Sequence, residues 1–385
     1  MGVVILSAAR TAIGKFGGMF RGASSLDLSV PCARAALERS GLEAEMVERC
    51  VWGNVVQAGA GQNLARQVAL SSGLPLSSSA LTANQVCASG MAAVEIAAGQ
   101  ILLGDSDLAL AGGSESMSSA PFYLDARWGR KYGSMQAVDG LERDGLSDAF
   151  SGLAMGITAE NVAEKFSVSR TDQDLFALSS QKKALAAMRR GDFEDEIVPV
   201  QAGGKERSED ESVRETSLEK LSCLKPAFKE GGTVTAGNSS PISDGAAALL
   251  LSSDAFSQKM GLSPLAKIDC FAQVGTDPAT MGYAPKMAIE KLAAKGQFSL
   301  KDIDLFEINE AFASQSVAVI RDLGLEEERV NVNGGAIALG HPLGCSGARI
   351  LVTLIYALKN RGLRTGIASL CVGGGMGVAM KVSLV

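Results

Sequence analysis

The chain has 385 residues, a formal net charge of -6, 46% apolar and 20% charged residues. That length suggests two or three domains, and the composition is that of a globular protein with ample core material. The well-mixed charge argues against a nucleic-acid surface, and no apolar run reaches the length of a membrane span.

The opening Met1-Gly2-Val3-Val4-Ile5-Leu6 reads as an apolar strand with no cationic segment before it, not as a signal peptide. The closing Val382-Ser383-Leu384-Val385 carries no prenylation or peroxisomal tag, so the expected compartment is the cytoplasm. In chain order, the predicted elements are a strand over 2–7, a helix over 27–39, a strand over 51–57 and a short amphipathic helix over 64–71. An Ala-rich helix over 91–103 and a buried strand over 107–112 follow. This alternation is the mark of an α/β domain.

From 118 to 243 the pattern breaks. Gly, Ser, Asp and Arg dominate around helices at 158–166 and 170–189, and the charged stretch 202–214 reads as a solvated loop for most of its length. The region is expected to be an insertion covering a site. Alternation returns with strands over 246–252, 266–274 and 304–308, and helices over 286–295, 311–323 and 349–359. A hairpin is expected of 365–371 and 376–384 across Gly373-Gly374-Gly375. No internal repeat is visible by identity, although both ends share the same alternation.

Seven cysteines at irregular spacing, without a CxxC, do not form a disulfide framework, and a single histidine, His341, argues against a Cys/His zinc site. Cys87 lies in Asn84-Gln85-Val86-Cys87-Ala88-Ser89-Gly90-Met91, ahead of the Ala-rich helix. A helix N-terminus favours thiolate, although a lone cysteine is as readily a packed core residue. His341 lies in a Gly-rich loop and must carry any imidazole acid–base chemistry. Cys371 precedes a glycine run able to expose N–H donors for an oxyanion, or simply to turn a hairpin. Asn309 could cap the helix that follows it, or hold a water or carbonyl.

Taken in order, these motifs closely resemble the thiolase family across nearly the whole chain. The segments that carry the resemblance are Ser7–Gly18, Asn84–Met91, Thr233–Asn238, Asn309–Ala313, Gly334–Gly347 and Cys371–Gly377. The resemblance implies the thiolase fold: two similar α/β halves in a five-layer α-β-α-β-α arrangement with an inserted loop domain. The boundaries are then 1–117 for the first part of the N-terminal half, 118–243 for the loop domain, 244–263 for a return strand and 264–385 for the C-terminal half.

The resemblance also implies a reversible Claisen condensation of acetyl-CoA with acyl-CoA, and the reverse thiolysis. Cys87 would be acylated, His341 would be its base, and Cys371 would take the α-proton. Asn309 would hold a water, and the amides of Cys87 and Gly373 would form an oxyanion hole. Coenzyme A would be substrate and product, with no permanently bound cofactor. It would contact Ser240 at the pantetheine, Leu146, Met155, Phe228, Ala236, Ala311 and Phe312 along the substrate, and Arg214 at the nucleotide end. A homotetramer with no nucleic-acid or membrane partner and a role in fatty acid metabolism are implied too. One departure stands out: Ala154 occupies a position where the short-chain biosynthetic branch usually has histidine, which would widen the pocket for longer or branched acyl chains. Degradative 3-ketoacyl-CoA thiolysis of broader chain length, and non-catalytic CoA or lipid binding, are the alternative activities.

Overall fold

The computed structural model describes residues 2–385; Met1, at the head of the predicted opening strand, lies outside them. Nine strands carry the fold: β1 (Val3–Thr11), β2 (Arg49–Gly53), β3 (Ser79–Ala83), β4 (Leu108–Ser116), β5 (Ser243–Ser253), β6 (Ala266–Gly275), β7 (Leu305–Ile308), β8 (Thr365–Val372) and β9 (Met376–Leu384). They run in the order β7-β8-β9-β6-β1-β5-β4-β2-β3, with the short strands Gly14–Lys15 and Ile197–Val198 alongside. The pairing pattern repeats from the centre outward. β1 pairs antiparallel with β5, β5 antiparallel with β4, and β4 parallel with β2. β6 likewise pairs antiparallel with β9, β9 antiparallel with β8, and β8 parallel with β7. β1 and β6 join the two units through Val3–Ile5 and Ala266–Ile268. The repeat invisible by identity is therefore explicit in topology.

Eight helices matter here: α1 (Ser25–Ser40), α2 (Leu64–Ser71), α3 (Ser89–Leu102), α4 (Met155–Lys165), α5 (Arg170–Arg190), α6 (Ala284–Gly296), α7 (Ala313–Leu323) and α8 (Leu343–Arg361). Side chains alternate across each strand, so one strand serves two cores. Val3, Ile5 and Ala8 enter the central cluster, whereas Val4, Leu6 and Ala9 face the cluster of α1 and α2. On β9, Val378, Met380 and Val382 point to the centre and Ala379 to the cluster of α6 and α7. Strands buried on both faces read as continuous apolar runs, and the sequences of β1 and β5 have that form. Helix α8 contacts strands of both units and also α3, forming the middle layer of five.

That middle layer fixes the site. A Cβ on Gly90 would lie 2.7 Å from the Ala348 amide, and one on Gly347 would collide with the Met91 backbone. Only glycine allows α3 and α8 to approach this closely, and their approach brings their N-termini together. Cys87 precedes one N-terminus and His341 the other.

The structure also corrects several expectations. β2 ends at Gly53 rather than continuing to 57, because residues 54–56 turn to bind the Glu115 carboxylate. Helix α8 begins at Leu343, so much of the glycine-rich segment is helical. β3, with mixed polar and apolar residues, was not predicted. The charged stretch 202–214 is not wholly solvated, since Asp210 pairs with the buried Arg10 guanidinium at 2.8 Å.

Candidate active site

The turn ahead of α3 is strained. Val86 has φ 45°, an outlying conformation for a β-branched residue that costs on the order of 1–3 kcal/mol. The turn is held by its own side chains. Asn84 Oδ1 accepts from the Val86 amide at 3.0 Å, Ser89 Oγ accepts from the Gln85 amide at 2.9 Å, and the same hydroxyl donates to Val86 O at 2.7 Å. Cys87 therefore sits at a fixed point, 8% exposed. The amides of Gly373 and of Cys87 itself are directed at its sulfur. These amides pull the thiol pKa down, but burial outweighs them and pushes it up to about 11. The helix-terminus argument for a resting thiolate thus loses to desolvation.

His341 follows Gly340, whose φ of 120° swings the chain out of a short helical turn and into α8. Its Nδ1 lies 2.6 Å from Ser346 Oγ, which also donates to Pro342 O at 2.9 Å. With the hydroxyl proton on Pro342 O, Nδ1 carries its own proton and Nε2 keeps a free lone pair. Burial, and then Arg349, lower the imidazole pKa to about 3, so the ring is neutral.

Asn309 does not cap a helix; α7 starts at Ala313. Its amide nitrogen lies 3.4 Å from His341 Nδ1 and 3.5 Å from Nε2, beside the ring edge between them. Its Oδ1 faces Arg349 Nη2 at 3.5 Å, and Arg349 is paired with Glu307 at 2.9 Å in a fully buried ion pair. The guanidinium thus orients the amide so that its NH2 faces the imidazole.

Cys371 is the penultimate residue of β8 and is wholly buried against Met281 and Ala311, with Met155 and Phe312 packed on the same cluster. Burial first, and the neighbouring Cys87 second, push its thiol up. A cavity of about 280 Å³ opens over these groups, with Cys87 and His341 in its wall. Leu146, Ala154, Met155, Phe228, Ala311, Phe312 and Ser240 are among the other residues of that wall, and Phe228 meets Phe312 edge to face at 6.1 Å. Ala236 and Arg214 are exposed and lie outside that wall. Among the described residues no group of His, Cys, Asp or Glu could hold a metal ion, and no helix is long and apolar enough to cross a membrane.

Models for the N-terminal and C-terminal domains of thiolase match residues 3–255 and 262–384. The chain belongs to the thiolase family. It is 49% identical over 385 residues to the acetyl-CoA acetyltransferase of Rhizobium meliloti, covering 99% of this chain and 98% of that one. It is 48% identical over 388 residues to a probable acetyl-CoA acyltransferase of Staphylococcus aureus, with the same coverage. Among solved structures, the acetyl-CoA acetyltransferase of Bacillus anthracis superposes with a TM-score of 0.97 at 45% identity, over 100% of this chain and 99% of that one. A thiolase from Ascaris suum in complex with coenzyme A superposes with 0.96 at 41% identity, covering 100% of both chains.

Three residues around this thiolase's site escaped the sequence reading. Ser346 lies within the glycine-rich segment, and nothing local tells that its hydroxyl reaches back to residue 341. Glu115 lies at the end of an apolar strand, where a lone carboxylate is the only signal. It accepts from the amides of Val55, Val56 and Gly344 and from Asn54, tying the loop after β2 to the start of α8. Burial raises its pKa to about 7. Gln273 lies on β6, between β9 and β1 in the middle of the sheet, with nothing in the sequence to mark it.

Proposed function

We propose that this thiolase condenses acetyl-CoA with an acyl-CoA to give a 3-ketoacyl-CoA, and catalyses the reverse thiolysis, through an acyl-Cys87 intermediate. The observation that carries the proposal is the convergence of Cys87 and His341 on one cavity, with Cys371 in the cluster directly behind its wall.

The chemistry follows from those positions. His341 Nε2 takes the Cys87 proton as the sulfur attacks the acyl carbonyl, and returns it to the departing coenzyme A sulfur. Both groups are neutral at rest, so the proton moves during attack rather than before it. The amides of Cys87 and Gly373, already directed at the sulfur, are set to donate to the oxygen that develops beside it. The acyl group now occupies Cys87, so a second base is required. Cys371, as thiolate, removes the α-proton of acetyl-CoA, and the enolate carbon attacks the acyl carbon. The C–C bond forms as the Cys87 sulfur leaves, and Cys371 passes the α-proton to the departing Cys87 thiolate, which restores both sulfurs. Asn309, beside His341, would hold the water that, with the imidazole, stabilises the enolate oxygen.

Ser240 would hold the pantetheine arm. Leu146, Met155, Phe228, Ala311 and Phe312 would line the thioester, Ala236, expected along the substrate, would contact coenzyme A from outside that wall, and Arg214 would meet the nucleotide end. Residues 118–243 would act as the loop domain over coenzyme A, between 1–117 and 244–263 of one half, with 264–385 as the other. Coenzyme A would be a substrate and product only, with no permanently bound cofactor.

A homotetramer is supported by Leu76, Leu103, Trp128 and Tyr132, which are 80% exposed or more, and by β3, which ends the sheet with a neighbour on one side alone. Apolar side chains this exposed and such a sheet edge call for cover. Acyl-CoA chemistry of this kind belongs to cytoplasmic fatty acid metabolism in this reading.

Incubation with acetyl-CoA followed by intact mass measurement tests the proposal. The chain should gain one acetyl group, and Cys87→Ala should gain none. Absence of any acetyl adduct on the unaltered chain would overturn it.

A further inference from the structure

The two amides that meet the Cys87 sulfur come from opposite units of the fold. That of Cys87 belongs to the turn between β3 and α3, and that of Gly373 to the loop between β8 and β9. Their spacing depends on how the two units are fixed to each other. The first turn is moreover strained at Val86, and a strained turn persists only where its surroundings over-determine it. Asn84 and Ser89 fix the shape of that turn but not its position against the other unit.

One side-chain chain spans the gap. Gln85 Nε2 donates to Gln273 Oε1 at 2.8 Å, and Gln273 Nε2 donates to Glu95 Oε2 at 2.6 Å. Gln85 is in the nucleophile turn, Glu95 is on the helix behind it, and Gln273 is on β6 of the opposite unit. The Oε1 of Gln85 is buried with no partner, so the bond through Nε2 is what holds this side chain. All three side chains are half-buried, which limits competition from water. β6 then leads straight to the glycine loop. Gln273 pairs with Val378, Val274 with Gly377 and Gly275 with Met376, and the Thr276 amide donates to Gly375 O at 2.6 Å. Whatever fixes Gln273 against Gln85 fixes Gly373 against Cys87.

We infer that Gln273 is a positioning residue for acyl transfer, holding the Cys87 turn and the Gly373 loop at the separation an oxyanion needs. The inference rests on the acyl-Cys87 chemistry proposed above. Displacements well under 1 Å matter at such a hole, because a misplacement of about 1 Å costs roughly a hundredfold in rate.

The test uses Gln273→Leu, which keeps the volume and removes both bonds. Cys87 is acetylated with carbonyl-labelled acetyl-CoA, and the carbonyl stretch of the acetyl-enzyme is read by isotope-edited infrared spectroscopy alongside the turnover constants. The expected result is a fall of roughly tenfold in kcat with KM changed less than twofold. The carbonyl band should move to higher wavenumber as the donors retreat. Glu95→Gln keeps an acceptor for Gln273 and should lie within twofold of the unaltered chain. Should Gln273→Leu fail to fold, Glu95→Leu cuts the same chain from its far end and carries the same expectation. An unmoved carbonyl band with kcat unchanged would overturn the inference, whatever the melting temperature does. Failure of the unaltered chain to form the acetyl-enzyme would instead remove the proposed function, and this inference with it.

Discussion

The Ser346 hydroxyl lies 2.6 Å from His341 Nδ1 and 2.9 Å from the carbonyl oxygen of Pro342, so a single proton has two acceptors in reach. With that proton on Pro342, the imidazole presents a lone pair at Nε2 and can accept from Cys87. With the proton turned to Nδ1, the imidazole carries its hydrogen at Nε2 and can donate to an enolate oxygen. The proposed cycle asks His341 for both roles; the ring gains a proton at Nε2 and releases one from Nδ1 by exchange with bound water, and the hydroxyl, by rotating, accepts from Nδ1 in the first tautomer and donates to it in the second. Ser346→Ala should lower kcat roughly tenfold to a hundredfold with little effect on KM. Steady-state kinetics in the thiolysis direction would check this, and equal losses in kcat and in binding would argue for mere collapse of the pocket.

Cys371→Ala separates the two half-reactions. Acylation of Cys87 needs only His341 and the two amides, so intact mass should still report one acetyl group. Condensation needs the second base, and its rate should fall by about 10²–10⁴-fold. Because the Cys371 side chain is fully buried among Met281 and Ala311, Cys371→Ser is the poorer probe, placing a stronger hydroxyl donor in an apolar cluster. If Cys371→Ala abolished acetylation as well, the division of labour between the two sulfurs would be wrong.

Much of this was legible in the sequence because the informative signals are local. Continuous apolar runs gave the strands, and glycine-rich segments beside Cys87, His341 and Cys371 marked the turns that deliver them. What stayed hidden depends on groups brought together only by folding. Nothing near Asn309 tells that Arg349 will orient its amide, and its capping role failed because the backbone needs three more residues to start α7. The resting state of Cys87 also misled, since local sequence reports the helix end but not the desolvation that overrides it. Gln273 is the extreme case, a polar residue on a strand whose two partners lie nearly two hundred residues away.

The raised Cys87 pKa sets the pH dependence of its reactivity. A thiol that titrates near 11 holds its proton throughout the neutral range, so the thiolate fraction should rise tenfold per pH unit through pH 8, 9 and 10. Iodoacetamide labelling of Cys87 in the free enzyme, followed by peptide mass spectrometry, should show that slope without a plateau below pH 10. The sign for stability follows from the same shift. The folded state holds this proton more tightly than the unfolded chain, so the contribution is intact below the ordinary thiol pKa of 9.0 and is lost as pH rises from there toward 11. A labelling plateau near pH 7 would mean a preformed thiolate–imidazolium pair instead.

Chain length is decided where two cavities share a wall. The cavity of about 280 Å³ at Cys87 and His341 and a neighbouring one of about 510 Å³ both include Gly145 and Met155 in their linings, and the second also includes Val86 and Gly373. Ala154, where a histidine is usual in the short-chain branch, adds room to the first. An acyl chain on Cys87 that turned past Met155 would find the apolar flank of Val55, Val86 and Ala149 rather than a closed end. Each methylene buried there is worth about 0.8 kcal/mol, or roughly fourfold in kcat/KM. Thiolysis of a six-carbon 3-ketoacyl-CoA should therefore proceed within about tenfold of acetoacetyl-CoA or faster, and Ala154→His should favour the shorter substrate. Met155 lines both cavities, and methionine re-packs around a longer chain more readily than a branched side chain. A steep fall from four to six carbons in the unaltered chain would show that the shared wall stays shut.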